Sequence, residues 1–186
     1  MSECSRIIEE VLEVSRLLVD LGLNTLRSGN VSGRCGDFIV LTPTSRWKHT
    51  LTPRDLVFYD MKRGIYIGAL DPTIEHMMHV LSYRKKSDLG GVAHAHNPLA
   101  TSLLETRSPE GEFEEERALR LCESSPAPPG SRELAEGVSS LADQCDIVLL
   151  PGHGLVSFGR SPLDAAERLI ALEALAKRIA IIGRRK

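Results

Sequence analysis

Apolar residues recur at helical spacing near the N-terminus. Ile7, Ile8, Val11, Leu12, Val14, Leu17, Leu18 and Leu21 predict an amphipathic helix over 5–22, with Gly22 as its stop. Arg27 to Arg34 is rich in turn formers and reads as a loop. Phe38 to Leu41 is a short apolar strand running into the turn Thr42-Pro43-Thr44-Ser45, where Pro43 lacks an amide donor. Leu56–Tyr59 and Ile65–Ile67 predict a hairpin across Asp60 to Gly64. A second helix is expected over 73–87, with Asp71 or Thr73 near its start. A strand follows over Gly90–His96, then a helix capped by Asn97 and running to about Glu105. Residues 106–130 carry Pro109, Pro126, Pro128, Pro129 and Gly130 and read as one long connection. Ser131 caps a helix ending near Cys145. Ile147–Leu150 and Leu155–Phe158 are strands interrupted by Pro151-Gly152, and Ser161-Pro162-Leu163-Asp164 opens a last helix to about Ile182. This mixture predicts an α/β fold, a sheet covered by helices. The short connections around 56–67 and 147–158 make much of that sheet antiparallel.

Composition narrows the classes. A chain of 186 residues fits one domain, residues 1–186, and is large enough to bury a core without disulfides. Its net charge of −2, with both signs interleaved, argues against nucleic-acid binding. The basic run Arg184-Arg185-Lys186 reads as a solvated helix end. No apolar run approaches the roughly 20 residues of a membrane helix, and Met1 to Arg6 lacks the pattern of a signal peptide. Cys4, Cys35, Cys122 and Cys145 show no C-x-x-C pair, and their scatter predicts reduced thiols in a soluble cytoplasmic protein.

The residues suited to chemistry fall at the ends of the apolar segments. In His94-Ala95-His96, residues two apart on a strand project to one side, so both imidazoles would leave one face near the strand's end. A lone H-x-H is a weak pattern, and two half-buried histidines are its alternative reading. His153 lies between Gly152 and Gly154, which allow the backbone to bend and another group to come close. A turn histidine bonded to a carbonyl is the alternative there. Together the three match the His₃ set of a catalytic zinc site with one open position. Glu75 near a helix start either serves this site or complements the helix dipole. His79, one turn on, reads as packing or hydrogen-bonding support, and His76 and His49 as exposed. Ser28-Gly29-Asn30 and Thr42-Pro43-Thr44-Ser45 could present N–H groups to a phosphate, or be ordinary turns.

Taken in order, these stretches resemble the class II aldolase and adducin superfamily. The matching pieces are Ser28-Gly29-Asn30-Val31-Ser32-Gly33-Arg34, Leu41-Thr42-Pro43-Thr44-Ser45, Glu75 with His79 and Tyr83, Val92 to Pro98, and Gly152-His153-Gly154-Leu155-Val156. The resemblance implies a three-layer α/β/α unit and a cyclic homotetramer with sites between subunits. It implies Zn²⁺ held by His94, His96 and His153, although cobalt, manganese or iron also suits such donors. Glu75 matches the family's catalytic acid–base, which also touches the metal when no substrate is bound. Gly29, Asn30, Thr44, Ser45 and Thr73 fall where the family binds the substrate's phosphate. The implied activity is that of an aldolase acting through a metal-stabilised enediolate on a ketose, as its 1-phosphate, to give dihydroxyacetone phosphate and an aldehyde. The alternatives are a dehydratase of the methylthioribulose-1-phosphate type or a 4-epimerase on the same metal, or a non-catalytic adducin-like domain, which would lack the ligands. Two departures stand out. Thr73-Ile74 replaces the two serines that family aldolases show before the glutamate, and Ser45 stands where glycine is common.

Overall fold

Strand residues alternate between two apolar layers, one on each face of an eight-stranded sheet. The computed structural model describes residues 2–106 and 119–183. Its elements are α1 (Glu3–Asp20), β1 (Asn30–Cys35), β2 (Phe38–Leu41), β3 (Val57–Asp60), β4 (Ile65–Ile67), α2 (His76–Lys85), β5 (Gly91–Ala95) and α3 (Pro98–Thr106). They continue with β6 (Leu121–Glu123), α4 (Arg132–Leu141), β7 (Ile147–Leu150), β8 (Gly154–Gly159) and α5 (Pro162–Gly183). The strand order is β4-β3-β2-β1-β5-β8-β7-β6. Every pairing is antiparallel except β6 with β7, as the short connections predict.

On one face Val31, Val40, Ala93, Leu149 and Leu155 pack with Val11 and Leu18 of α1, Leu104 of α3 and Leu169 of α5. On the other, Ile39, Leu41, Val92, Val148, Val156 and Phe158 pack with Met78 and Tyr83 of α2 and Leu134 and Val138 of α4. This is the expected α/β/α arrangement. Each large side chain so buried contributes roughly 1.5–3 kcal/mol, and together they fix the register. A slip of one residue in β5 would turn His94 into the layer of α1 and α5 and move Ala93 to the other face.

Several expectations are corrected. Residues 30–34, read as part of a turn-rich stretch, belong to the central strand β1 (Asn30–Cys35). Its turn-forming composition hides a strand because Asn30 and Ser32 face inward and find buried polar partners. Residues 121–123, read as part of a long connection, pair with β7 as β6. Residues 107–118 of that connection, Pro109 among them, and Arg184 to Lys186 lie outside the described residues. The first helix spans 3–20, where Ser2 Oγ accepts from the Ser5 N–H. The second begins at His76, with Glu75 at its N-cap position. Asn97 does not cap α3 through its side chain. It takes φ 42° and donates through Nδ2 to the Leu169 carbonyl at 2.8 Å.

The cysteines are also corrected. Scatter along the sequence is not separation in space. Cys4 in the first turn of α1 is bonded to Cys35 at the end of β1, and Cys122 of β6 to Cys145 just before β7. Their Cα atoms are 5.0 and 6.0 Å apart, within disulfide range. Among the described residues, no helix is long and apolar enough to cross a membrane.

Candidate metal centre

The sheet register builds the site. Asn30 of β1 lies opposite His94 of β5, and His94 opposite Val156 of β8. His96 follows the end of β5, and His153 sits in the tight turn joining β7 to β8. A Cβ at Gly154 would stand 2.5 Å from the Ala95 carbonyl and 2.9 Å from His96 Cα, so this glycine lets β8 close against the histidine strand. The three imidazole ligand atoms lie within 4.8 Å of one another. Their ring centroids are 4.7–5.6 Å apart.

His94 is fully buried. Its Nδ1 donates to the Leu155 carbonyl at 3.0 Å, which leaves the lone pair on Nε2. That Nε2 has no hydrogen-bond partner and lies 3.4 Å from Glu75 Oε2. Glu75 Oε1 and His153 Nδ1 are also buried without hydrogen-bond partners, and His153 Nε2 is 3.8 Å from Glu75 Oε1. Each unsatisfied buried polar atom costs about 1–3 kcal/mol, and a cation would satisfy the ones that converge here. Burial lowers the His94 pKa to about 4, against the opposing pull of Glu75, so the ring is neutral at pH 7 and in ligand form. Burial, reinforced by His153, also lowers His96. Burial alone would raise the Glu75 carboxyl. His94, the Asn30 amide, His153 and His79 outweigh it, and the net displacement is downward. Three imidazoles beside a carboxylate form a donor set that fits a divalent cation.

Glu75 is held by a directed chain of hydrogen bonds. Asn30 Nδ2 donates to its Oε2 at 2.8 Å. His79 Nε2 donates to Asn30 Oδ1 at 2.5 Å, so His79 Nδ1 accepts from Ser32 Oγ at 2.7 Å. Tyr83 O–H reaches Ser32 Oγ at 3.0 Å. His79 is therefore the supporting residue its helical spacing suggests, and burial lowers its pKa to about 3. Asn30 has a double place: it holds the carboxylate and borders the polar turns. His49 is exposed as expected, paired with Asp20 at 2.7 Å. His76 is not exposed. It is half-buried and bonded to the Tyr66 hydroxyl at 2.5 Å.

A cleft of about 250 Å³ opens beside these groups. Gly29, Asn30, Thr44, Ser45 and Thr73 all line it, with Glu75 and the three histidines. An isolated bridge between Pro43 and Pro72 draws the Thr44 and Thr73 loops together. Gly29 has φ +68°, and a Cβ there would lie 2.0 Å from Asn24 Nδ2 and 2.7 Å from the His94 carbonyl. Ser45 adopts φ 55°, the left-handed region where glycine is common. Ile74 lines the cleft and is 60% exposed. Sequence reasoning missed Lys48, which lines the same cleft while being only 3% exposed. Nothing in the periodicity marks it.

An α/β/α sheet carrying three clustered histidines and a buried glutamate at one end is an arrangement that could hold a metal ion. The model of the Class II Aldolase and Adducin N-terminal domain matches residues 9–180, and the chain belongs to that family. It is 31% identical over 176 residues to the L-fuculose phosphate aldolase of Methanococcus maripaludis, covering 91% of this chain and 94% of that one. It is 30% identical over 178 residues to the 3-oxo-tetronate 4-phosphate decarboxylase of Haemophilus influenzae, covering 91% and 84%. A solved L-fuculose 1-phosphate aldolase superposes with TM-score 0.86 at 23% identity, covering 99% of this chain and 88% of that one, a likeness of fold. The chain is accordingly an enzyme of the lyase class. Class II aldolases are metal-dependent, and the histidine cluster could bind a metal.

Proposed function

We propose that the chain, read as a single class II aldolase-like unit, is a zinc-dependent aldolase. It would cleave a ketose 1-phosphate to dihydroxyacetone phosphate and an aldehyde. The observation that carries this reading is the convergence of His94 Nε2 and Glu75 Oε1, both buried and without hydrogen-bond partners, beside His96 and His153. His94, His96 and His153 would hold the cation, with Glu75 beside them as a further donor when substrate is absent. When bound, a cation there would supply Lewis-acid stabilisation of developing negative charge. Asn30 fixes Oε2 of Glu75 and leaves Oε1 free to move the proton at the enediolate carbon. Gly29, Asn30, Thr44, Ser45 and Thr73 hold the phosphate in the adjoining cleft. The names of the relatives support a sugar-phosphate substrate, and a cytoplasmic setting is proposed with it. Internal disulfides are compatible with the cytoplasm of some organisms.

The decarboxylase relative supports a second reading in which the same site stabilises an enolate formed by loss of carbon dioxide. A panel of ketose phosphates and 3-oxo acid phosphates, with aldehyde and carbon dioxide measured separately, tests both. Aldehyde release abolished by EDTA and restored by zinc is the expected result. Carbon dioxide without aldehyde would transfer the assignment to decarboxylation. Water loss or inversion without cleavage would transfer it to a dehydratase or epimerase.

A further inference from the structure

The cleft that carries the histidines also carries an ammonium group. Lys48 opens a short 3-10 turn, Lys48–Thr50, three residues after Ser45. Its backbone N–H donates to the Leu26 carbonyl at 2.9 Å, which ties this turn to the segment leading into Gly29 and Asn30. The residue is 97% buried in the fold and yet borders the cleft. Among the described residues, its side chain has neither an ion pair nor a hydrogen bond. Among the described residues Glu75 is the one carboxylate bordering the cleft, and its Oε2 is engaged by Asn30. Arg27, the other cation at the rim, is exposed and lies over the Trp47 ring at 5.8 Å.

A buried charge without a counter-charge is costly. Burial lowers the Lys48 pKa to about 8, which still leaves the ammonium form in excess at neutral pH. The hydroxyl residues Thr44, Ser45 and Thr73 line the same cleft, all able to donate. Ile74, between Thr73 and Glu75, offers no donor. Among the described residues the unpaired cation in this cleft is thus Lys48, in a cleft also lined by hydroxyls able to donate. We propose that Lys48 binds the phosphate of the substrate, makes the contact that Ile74 cannot make, and sets the preference for phosphorylated over free ketose. The proposal rests on this cleft being the substrate site of the reading above.

The test uses the metal-loaded full chain and its Lys48→Met and Lys48→Arg variants, with inorganic phosphate as the probe. A charge-assisted hydrogen bond is worth about tenfold or more in affinity. Lys48→Met is expected to weaken phosphate binding, measured by calorimetry, at least ~10-fold, and Lys48→Arg to retain most of it. In kinetics, the ratio of kcat/KM for phosphorylated over free ketose should fall by a similar factor in Lys48→Met, chiefly through KM. Without phosphate, Lys48→Met should melt at or above the wild-type temperature, because a desolvated charge has gone. Phosphate should raise the Tm of the wild type and leave that of Lys48→Met unmoved. Wild-type phosphate affinity in Lys48→Met would overturn the proposal. Should Lys48→Met fail to fold, Lys48→Gln against Lys48→Arg gives the same contrast. If no ketose phosphate is cleaved but phosphate affinity still follows the charge at residue 48, the aldolase reading falls and the anion site stands.

Discussion

At the scale of single residues, Glu75 joins the histidine cluster to the cleft. One oxygen is held by Asn30, the other is unpartnered, and the side chain is buried among histidines. Glu75→Gln preserves shape and removes the charge and the base. Turnover should fall by at least ~10², while zinc content, read by elemental analysis, stays near one per chain. Wild-type turnover in that variant would remove Glu75 from the acid–base role. His79 makes a different prediction. It is buried neutral with a pKa of about 3, whereas an unfolded histidine titrates near 6.5. As pH falls below ~6.5 the unfolded chain binds the proton first, so stability that is complete above that value is lost towards pH 3. The urea midpoint of the metal-free protein should drop between pH 7.5 and 5.0, and drop less in His79→Gln. Equal drops would show that His79 does not carry the acid sensitivity.

At the scale of elements, the histidines were legible because their chemistry follows from short-range spacing. His94 and His96 stand two apart on a strand, and His153 lies in a glycine turn between two apolar runs. Strand β1 was not legible, since Asn30-Val31-Ser32-Gly33 has the composition of a turn. Only its neighbours, His79 below and His94 beside it, make polar inward positions acceptable. Lys48 was hidden for the same reason: burial is a property of the packed cleft and not of the local sequence. The disulfides were misread because a pairing depends on proximity that α1, β1 and β6 create only after folding. The bridges close sequence separations of 31 and 23 residues. Loops of this size make each worth ~3 kcal/mol through the entropy of the unfolded chain. Thiol-free Cys4→Ser/Cys35→Ser and Cys122→Ser/Cys145→Ser proteins should therefore each melt several degrees lower. A Tm unaltered by both the mutations and added reductant would show that the bridges do not form in solution.

At the scale of the whole molecule, the three layers position the site at one end of the sheet, where β1, β5 and the β7–β8 turn meet. Apolar side chains remain exposed beside it: Leu26 at 44%, Trp47 at 48% and Ile74 at 60%. Ile65 and Ile67 of the edge strand β4 are exposed at 46% and 45%. We propose that these side chains are contacts of the homotetramer that the family resemblance implies, with sites between subunits. Light scattering on the chromatographic peak should give about four times the 20.4 kDa chain mass. A mass equal to one chain across the micromolar range would contradict that assembly.

X-ray absorption on the zinc-loaded protein reads the ligand set itself. The account predicts nitrogen and oxygen neighbours at about 2.0–2.2 Å, with the outer-shell pattern of three imidazoles. Sulfur at about 2.3 Å, or fewer than three imidazoles around the metal, would contradict it.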